Sequence, residues 1–139
     1  MTTIFTRILR GEAPAHFVAR TPTVAAFLSI APITAGHVLV VPAEEVDDWT
    51  ALSPDLVAEV MTMAQSVGRA VRAAFGAPRA GLVIAGFEVP HAHVHVFPAW
   101  GMDDFDFRRA DPQVLGAELA ANRDRIAAVM EAGPPTIRE

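Results

Sequence analysis

The spacing of hydrophobic positions along this chain changes period several times, and each change marks a new element. Ile4, Phe5, Ile8 and Leu9 share one helical face, with Thr3 in the N-cap position and Gly11 where a helix stops. A short helix is therefore predicted over Ile4 to Arg10. Two β-rich stretches follow, His16 to Arg20 and Thr23 to Ser29, parted by the turn signal Thr21-Pro22, and they read as a hairpin. Ala31-Pro32-Ile33-Thr34-Ala35-Gly36 has loop chemistry, and His37 to Pro42 after it reads as a buried, valine-rich strand.

The pattern then becomes helical for six turns. Ser53 is an N-cap with Pro54 at the first helical position, and Leu56, Val57, Val60, Met61, Ala64, Val67, Val71 and Phe75 follow until Gly76 and Pro78. Gly81 to Gly86 and Ala92 to Pro98 are the next two strands. Asp111-Pro112 is expected to cap a final helix ended by Gly133-Pro134-Pro135. Strands in runs, with helices between and after them, predict an α+β fold with an antiparallel sheet of about five strands. One domain is expected over residues 1–108, with 109–139 a helical extension packed on it.

Composition narrows the chemistry. The 139 residues can bury a core without disulfides or structural metal. The longest apolar runs, such as Val24 to Leu28, are strand-length and too short to span a bilayer. No leader pattern opens the chain, so a cytoplasmic protein with no membrane partner is expected. Cysteine is absent, which excludes disulfides, thiolate zinc sites and a cysteine nucleophile. Lysine is absent too, so Schiff-base chemistry and a P-loop lysine are excluded; phosphate must be met by arginine, histidine and backbone N–H groups. A net charge of -5 with scattered arginines opposes a polymeric nucleic-acid partner.

The chemical signal is His91-Ala92-His93-Val94-His95-Val96-Phe97-Pro98. Residues at i, i+2 and i+4 of a strand share a face, so three imidazoles are expected in a row at about 7 Å per step, with Ala92, Val94 and Val96 entering the core. Such a row offers a neutral nitrogen nucleophile, a proton donor for a leaving group and a ring to orient them. Phosphoryl or nucleotidyl transfer suits these parts. An exposed strand face that merely holds histidine, and a zinc site built on His-x-His, are the other readings of the same row.

These residues resemble the signature of the histidine-triad (HIT) family of nucleotide hydrolases and transferases, closest to its Hint-like branch. The resemblance extends to Thr3-Ile4-Phe5-Thr6-Arg7-Ile8-Leu9-Arg10-Gly11-Glu12-Ala13-Pro14-Ala15, to Phe27-Leu28-Ser29-Ile30-Ala31-Pro32 and to Gly36-His37-Val38-Leu39-Val40-Val41-Pro42. It implies a HIT-like fold, usually a homodimer paired through the long helix and a sheet edge. It implies that His93 attacks the α-phosphorus of a nucleotide to give a covalent nucleotidyl-histidine that water cleaves. His95 then lies near the leaving group, His91 orders the row from behind, and His37 supports it. Ile4, Phe5, Ile8, Phe27, Ser29 and Ile30 correspond to the base and ribose pocket. No cofactor is implied; the expected partner is a nucleotide or nucleotide conjugate such as a phosphoramidate or dinucleotide.

Three departures bear on that reading. Ser29 stands where the family usually has aspartate or asparagine for the ribose hydroxyls. Gly86-Phe87-Glu88-Val89-Pro90 replaces the usual polar approach to the triad, and Glu88 brings an anion to the region where phosphate is expected. Some bacterial relatives hold structural zinc partly through Cys-x-x-Cys in the first helix; here those positions are Thr3 and Thr6, Glu45 replaces a histidine, and no metal is expected. The departures leave a second functional reading open, a nucleotide-binding module with little or no turnover.

Overall fold

The computed structural model describes residues 2–132. The helix stop expected at Gly133-Pro134-Pro135 lies outside them. The elements are α1 (Ile4–Leu9), β1 (Phe17–Arg20), β2 (Val24–Leu28), β3 (Val38–Pro42), α2 (Pro54–Phe75), β4 (Arg79–Val83), β5 (Val94–Ala99) and α3 (Gly116–Ala132). Short 3-10 turns occupy Trp49–Ala51, Met102–Asp104 and Phe107–Arg109. The strands form one sheet in the order β1-β2-β3-β5-β4, every neighbouring pair antiparallel. The fold is α+β.

The long helix forms where its caps and its stripe agree. The Ser53 hydroxyl accepts from the Leu56 N–H at 3.2 Å, Pro54 needs no partner for an N–H it lacks, and Gly76 ends the helix in the left-handed region at φ 65°. Its stripe of Leu56, Val60, Ala64, Val67 and Val71 is buried against Val24, Ala26, Leu28, Val38, Val40, Val94 and Val96. Each fully buried valine or leucine there contributes about 1.5–3 kcal/mol. Alternate residues of the same strands, Ala25, Phe27, Leu39 and Val41, point to the opposite face and pack with Phe5 and Ile8 of α1. His95 pairs with Leu39 across β3 and β5, and so belongs to this second face.

Three elements depart from expectation by two residues or more. The last strand begins at Val94, not Ala92, because the chain before it is tied elsewhere: Ala92 N–H donates to the Val46 carbonyl at 2.7 Å, and His91 N–H to that of Val89 at 2.8 Å. His91 and His93 therefore precede the ladder, and the even histidine row becomes a bent one. β4 spans Arg79–Val83 instead of Gly81 to Gly86. The last helix starts at Gly116, because the Asp111 carboxylate closes a local turn on the Gln113 N–H at 2.9 Å.

Candidate active site

Four of the five histidines gather on the α1 face of the sheet, each buried. Their hydrogen bonds fix which nitrogen carries the proton in each ring. The Ile33 N–H donates to His37 Nδ1 at 3.0 Å, so the His37 proton resides on Nε2. That Nε2 lies 3.0 Å from His95 Nδ1 and donates to it, which leaves the His95 proton on its own Nε2. His93 Nδ1 lies 2.7 Å from the His91 carbonyl, an acceptor only; Nδ1 therefore carries the proton and Nε2 keeps its lone pair. The His93 and His95 ring centroids are 5.0 Å apart, so a ring with a bare nitrogen neighbours a ring with an N–H donor.

Burial favours the neutral form of His37, His91 and His95. The His37 pKa is lowered to about 3, first by desolvation and then by the nearby His95. His95 is lowered to about 4 by desolvation and by His93. His91 is lowered as well, because desolvation outweighs the Pro42 carbonyl and the Glu45 charge that favour its cation. A neutral imidazole with one committed nitrogen is the form that attacks an electrophile.

His91 is fully buried behind the row, its Nε2 bonded to the Pro42 carbonyl at 2.8 Å and its Nδ1 2.8 Å from the Thr3 hydroxyl. Phe5 sets its ring at an angle to both His91 and His93, at 5.6 and 5.1 Å between centroids, and rests on Phe27 at 5.7 Å. Ile8 packs in the same cluster. Phe27 is thus core that supports Phe5. Ile4 and Ile30 stand in solvent, Ile30 at 73% exposure, beside the buried Ser29. The Ser29 hydroxyl accepts from the Ala31 N–H at 3.2 Å and its backbone N–H donates to the His37 carbonyl at 2.9 Å, so its position is tied to that of the histidine chain. Glu88 is exposed and has a φ of 74°.

Phe107 is a neighbour that sequence reasoning passed over: its ring lies 4.7 Å from that of His95, edge to face. The turn carrying it is tied down by the buried Asp104, which accepts from the Trp100 N–H at 2.8 Å and pairs with Arg109 at 3.1 Å. The run of aromatic and acidic residues after β5 was the only signal for it.

The profile of the HIT domain matches residues 10–101. The chain belongs to the HIT-domain family. An uncharacterized HIT-like protein of Borreliella burgdorferi is 31% identical over 122 residues, which cover 83% of this chain and 88% of that one. Two relatives from Schizosaccharomyces pombe have named activities. An asymmetrical bis(5'-nucleosyl)-tetraphosphatase is 32% identical over 82% of this chain and 63% of its own length. An adenosine 5'-monophosphoramidase is 32% identical over 70% of this chain and 74% of its own. Among solved structures, a Zn-bound histidine triad protein of Mycobacterium smegmatis superposes with a TM-score of 0.77 at 29% identity, covering 95% of this HIT chain and 98% of that one.

The zinc of that relative prompts a test of this chain's residues. Among the described residues no group of three or more His, Asp or Glu side chains is placed to hold a metal ion. At Thr3, Thr6 and Glu45 the available donors are two neutral hydroxyls and one carboxylate, and both nitrogens of the adjoining His91 are engaged. Zinc takes thiolate, imidazole and carboxylate ligands, and this set does not fit it.

Proposed function

We propose that this protein hydrolyses a nucleotide conjugate at its α-phosphorus, through a covalent nucleotidyl intermediate on His93. The observation that carries the reading is the pairing of a lone pair on His93 Nε2, set by the 2.7 Å bond from Nδ1 to the His91 carbonyl, with the neighbouring His95 N–H. In the first step the Nε2–P bond forms and the bond from phosphorus to the leaving group breaks. The leaving atom accepts a hydrogen bond from the His95 Nε2–H and takes its proton from water, so that the His95 ring stays neutral. In the second step water attacks the same phosphorus, its proton passes to solvent, and His93 is released with the nucleoside monophosphate.

Relatives named as a monophosphoramidase and a dinucleotide tetraphosphatase support a leaving group that is an amine or a nucleotide phosphate. No helix among the described residues is long and apolar enough to cross a membrane. We place the enzyme in the cytoplasm as a homodimer joined along β4 and α2. β4 is an edge strand of the sheet, and Leu82 and Met61 are exposed in the groove beside it. Residues 109–139 are read as an extension of the one domain.

The direct test is rapid quenching with a phosphorus-labelled nucleoside phosphoramidate. An acid-labile, base-stable label on the protein is expected, absent from His93→Ala. Label retained in that variant, or turnover equal to the parent, overturns the assignment. Binding of nucleotide by the parent with no label and no product supports instead a nucleotide-binding module, the reading that Ser29, Phe87 and Glu88 favour.

A further inference from the structure

The first helix is only six residues long, too short to hold its own place on the sheet by helix propensity. Besides the packing of Phe5 and Ile8, a chain of directed hydrogen bonds holds it and ends at His93. Glu45 Oε1 accepts from the Thr3 backbone N–H at 2.7 Å and from the Thr6 hydroxyl at 2.7 Å. The Thr3 hydroxyl accepts from the Thr6 N–H at 3.2 Å, as an N-cap does, and lies 2.8 Å from His91 Nδ1. The Pro42 carbonyl can only accept, so the His91 proton is on Nε2 and the Thr3 hydroxyl donates to Nδ1. The backbone carbonyl of His91 then accepts from His93 Nδ1. The same helix brings Phe5 against the His93 ring.

We propose that Glu45 is a positioning residue for His93, acting through Thr3 and His91 as a carboxylate clasp on the start of the first helix. Bonds to an ionised carboxylate are shorter and stronger than neutral ones, which suits one exposed side chain to pinning a helix end. The carboxyl is held below its usual range by the Thr3 N–H and the Thr6 hydroxyl, so it stays charged across the neutral range. Pinning acts on two features of His93 at once: the carbonyl that fixes its tautomer and the aromatic wall beside it. The clasp stands independently of the reaction; its effect on rate rests on the nucleotidyl-histidine reading above.

The test uses the full chain with ¹⁵N-labelled histidine, purified without a histidine tag. In the parent, long-range proton–nitrogen spectra should show His91 in one tautomer with the proton on Nε2, unchanged by chelator, and elemental analysis should find no stoichiometric zinc. Glu45→Ala should mix the His91 tautomers, speed amide exchange at Thr6 and Arg7 by about tenfold, and lower kcat more than it raises KM. Glu45→Gln, which keeps the accepting oxygen, should stay within about threefold of the parent in each readout. If Glu45→Ala does not fold, Thr6→Ala removes one of the two bonds to Oε1 and should shift exchange and the His91 spectrum the same way by less. Parent-like spectra and exchange in Glu45→Ala, or in Thr6→Ala where that variant stands in for it, or one zinc per chain, would overturn the clasp. A parent that shows the His91 tautomer and the Glu45 effect but never turns over a phosphoramidate would instead leave the clasp standing and remove the reaction.

Discussion

His37 donates from Nε2 to His95 Nδ1 at 3.0 Å, and this contact decides which end of His95 faces the chemistry with a proton. The Ile33 N–H holds His37 in the donating tautomer from the other side. The loop that supplies this N–H is itself fixed by the Thr34 hydroxyl on the Pro98 carbonyl at 2.7 Å. A backbone amide in a turn thus sets the protonation of a side chain two rings away.

His37→Phe keeps an aromatic ring but removes both bonds. His95 is then free to carry its proton on Nδ1 and lose it from Nε2. The expected result is a fall in kcat/KM of about tenfold or more for amine leaving groups, which need the hydrogen bond, and little change for activated phenols. A series of leaving groups of graded pKa measures this. An equal loss across the series would show that His37 does not act through the His95 proton.

The same burial makes stability depend on pH. His37 and His95 have folded pKa values lowered from 6.5 to about 3 and about 4. Between these values and 6.5 the unfolded chain binds more protons than the folded one, so stability rises with pH through this window. The contribution is fully present above about 6.5 and is lost as pH falls toward the folded values. For His37 alone the loss between pH 7 and pH 4 is about 3 kcal/mol. Urea unfolding at pH 7, 6, 5 and 4 should show a midpoint that falls as the pH is lowered, with a shallower fall in His37→Phe. Parallel curves for the two proteins would mean that His37 does not titrate as described.

Much of this architecture is legible in the sequence because local and global signals agree. Ser53, Pro54 and Gly76 bracket α2, and its apolar stripe needs only the 3.6-residue period. The triad motif marked the site for the same reason. The histidine row was misread in its geometry because alternation cannot say where a ladder starts. Pro90, the turn bonds of Val89 and His91, and the pull of the Val46 carbonyl on Ala92 take His91 out of the sheet and bury it. The contact of Phe107 with His95, 12 residues along the chain, follows from how Asp104 ties the turn beyond β5, and no local pattern encodes that. Glu45 shows part of the same limit: the family resemblance groups it with Thr3 and Thr6, but its bonds to them appear only when α1 lies beside it.

Ser29 offers a test of sugar recognition. It is buried at the end of β2 and its hydroxyl already accepts from the Ala31 N–H. Ser29→Asp preserves that acceptor and adds a second, charged oxygen able to take hydrogen bonds from vicinal hydroxyls. The ratio of kcat/KM for ribonucleotide over 2'-deoxyribonucleotide conjugates should rise by about tenfold. An unchanged ratio in a folded variant would take Ser29 out of the ribose subsite.

Glu88 joins backbone strain to a negative charge, and the two can be separated. Among the described residues it is the one non-glycine with positive φ, at 74°, and the Val89 N–H bonds to the Phe87 carbonyl at 2.9 Å across it. A three-residue turn with this sign of φ is the rare, strained γ form, and such a residue costs of order 1–3 kcal/mol. Glu88→Gly removes both the strain and the charge, whereas Glu88→Gln removes the charge alone. Glycine should therefore raise stability by about 1 kcal/mol in urea unfolding, part of the relieved strain being offset by unfolded-chain entropy, while glutamine leaves it unchanged. Both should tighten binding of a nucleoside monophosphate by about twofold at low salt, with the gain fading as ionic strength rises. Calorimetric titration at two salt concentrations measures this. Equal affinity in all three proteins would place the carboxylate away from the phosphate, and a less stable glycine variant would show that the turn is not strained.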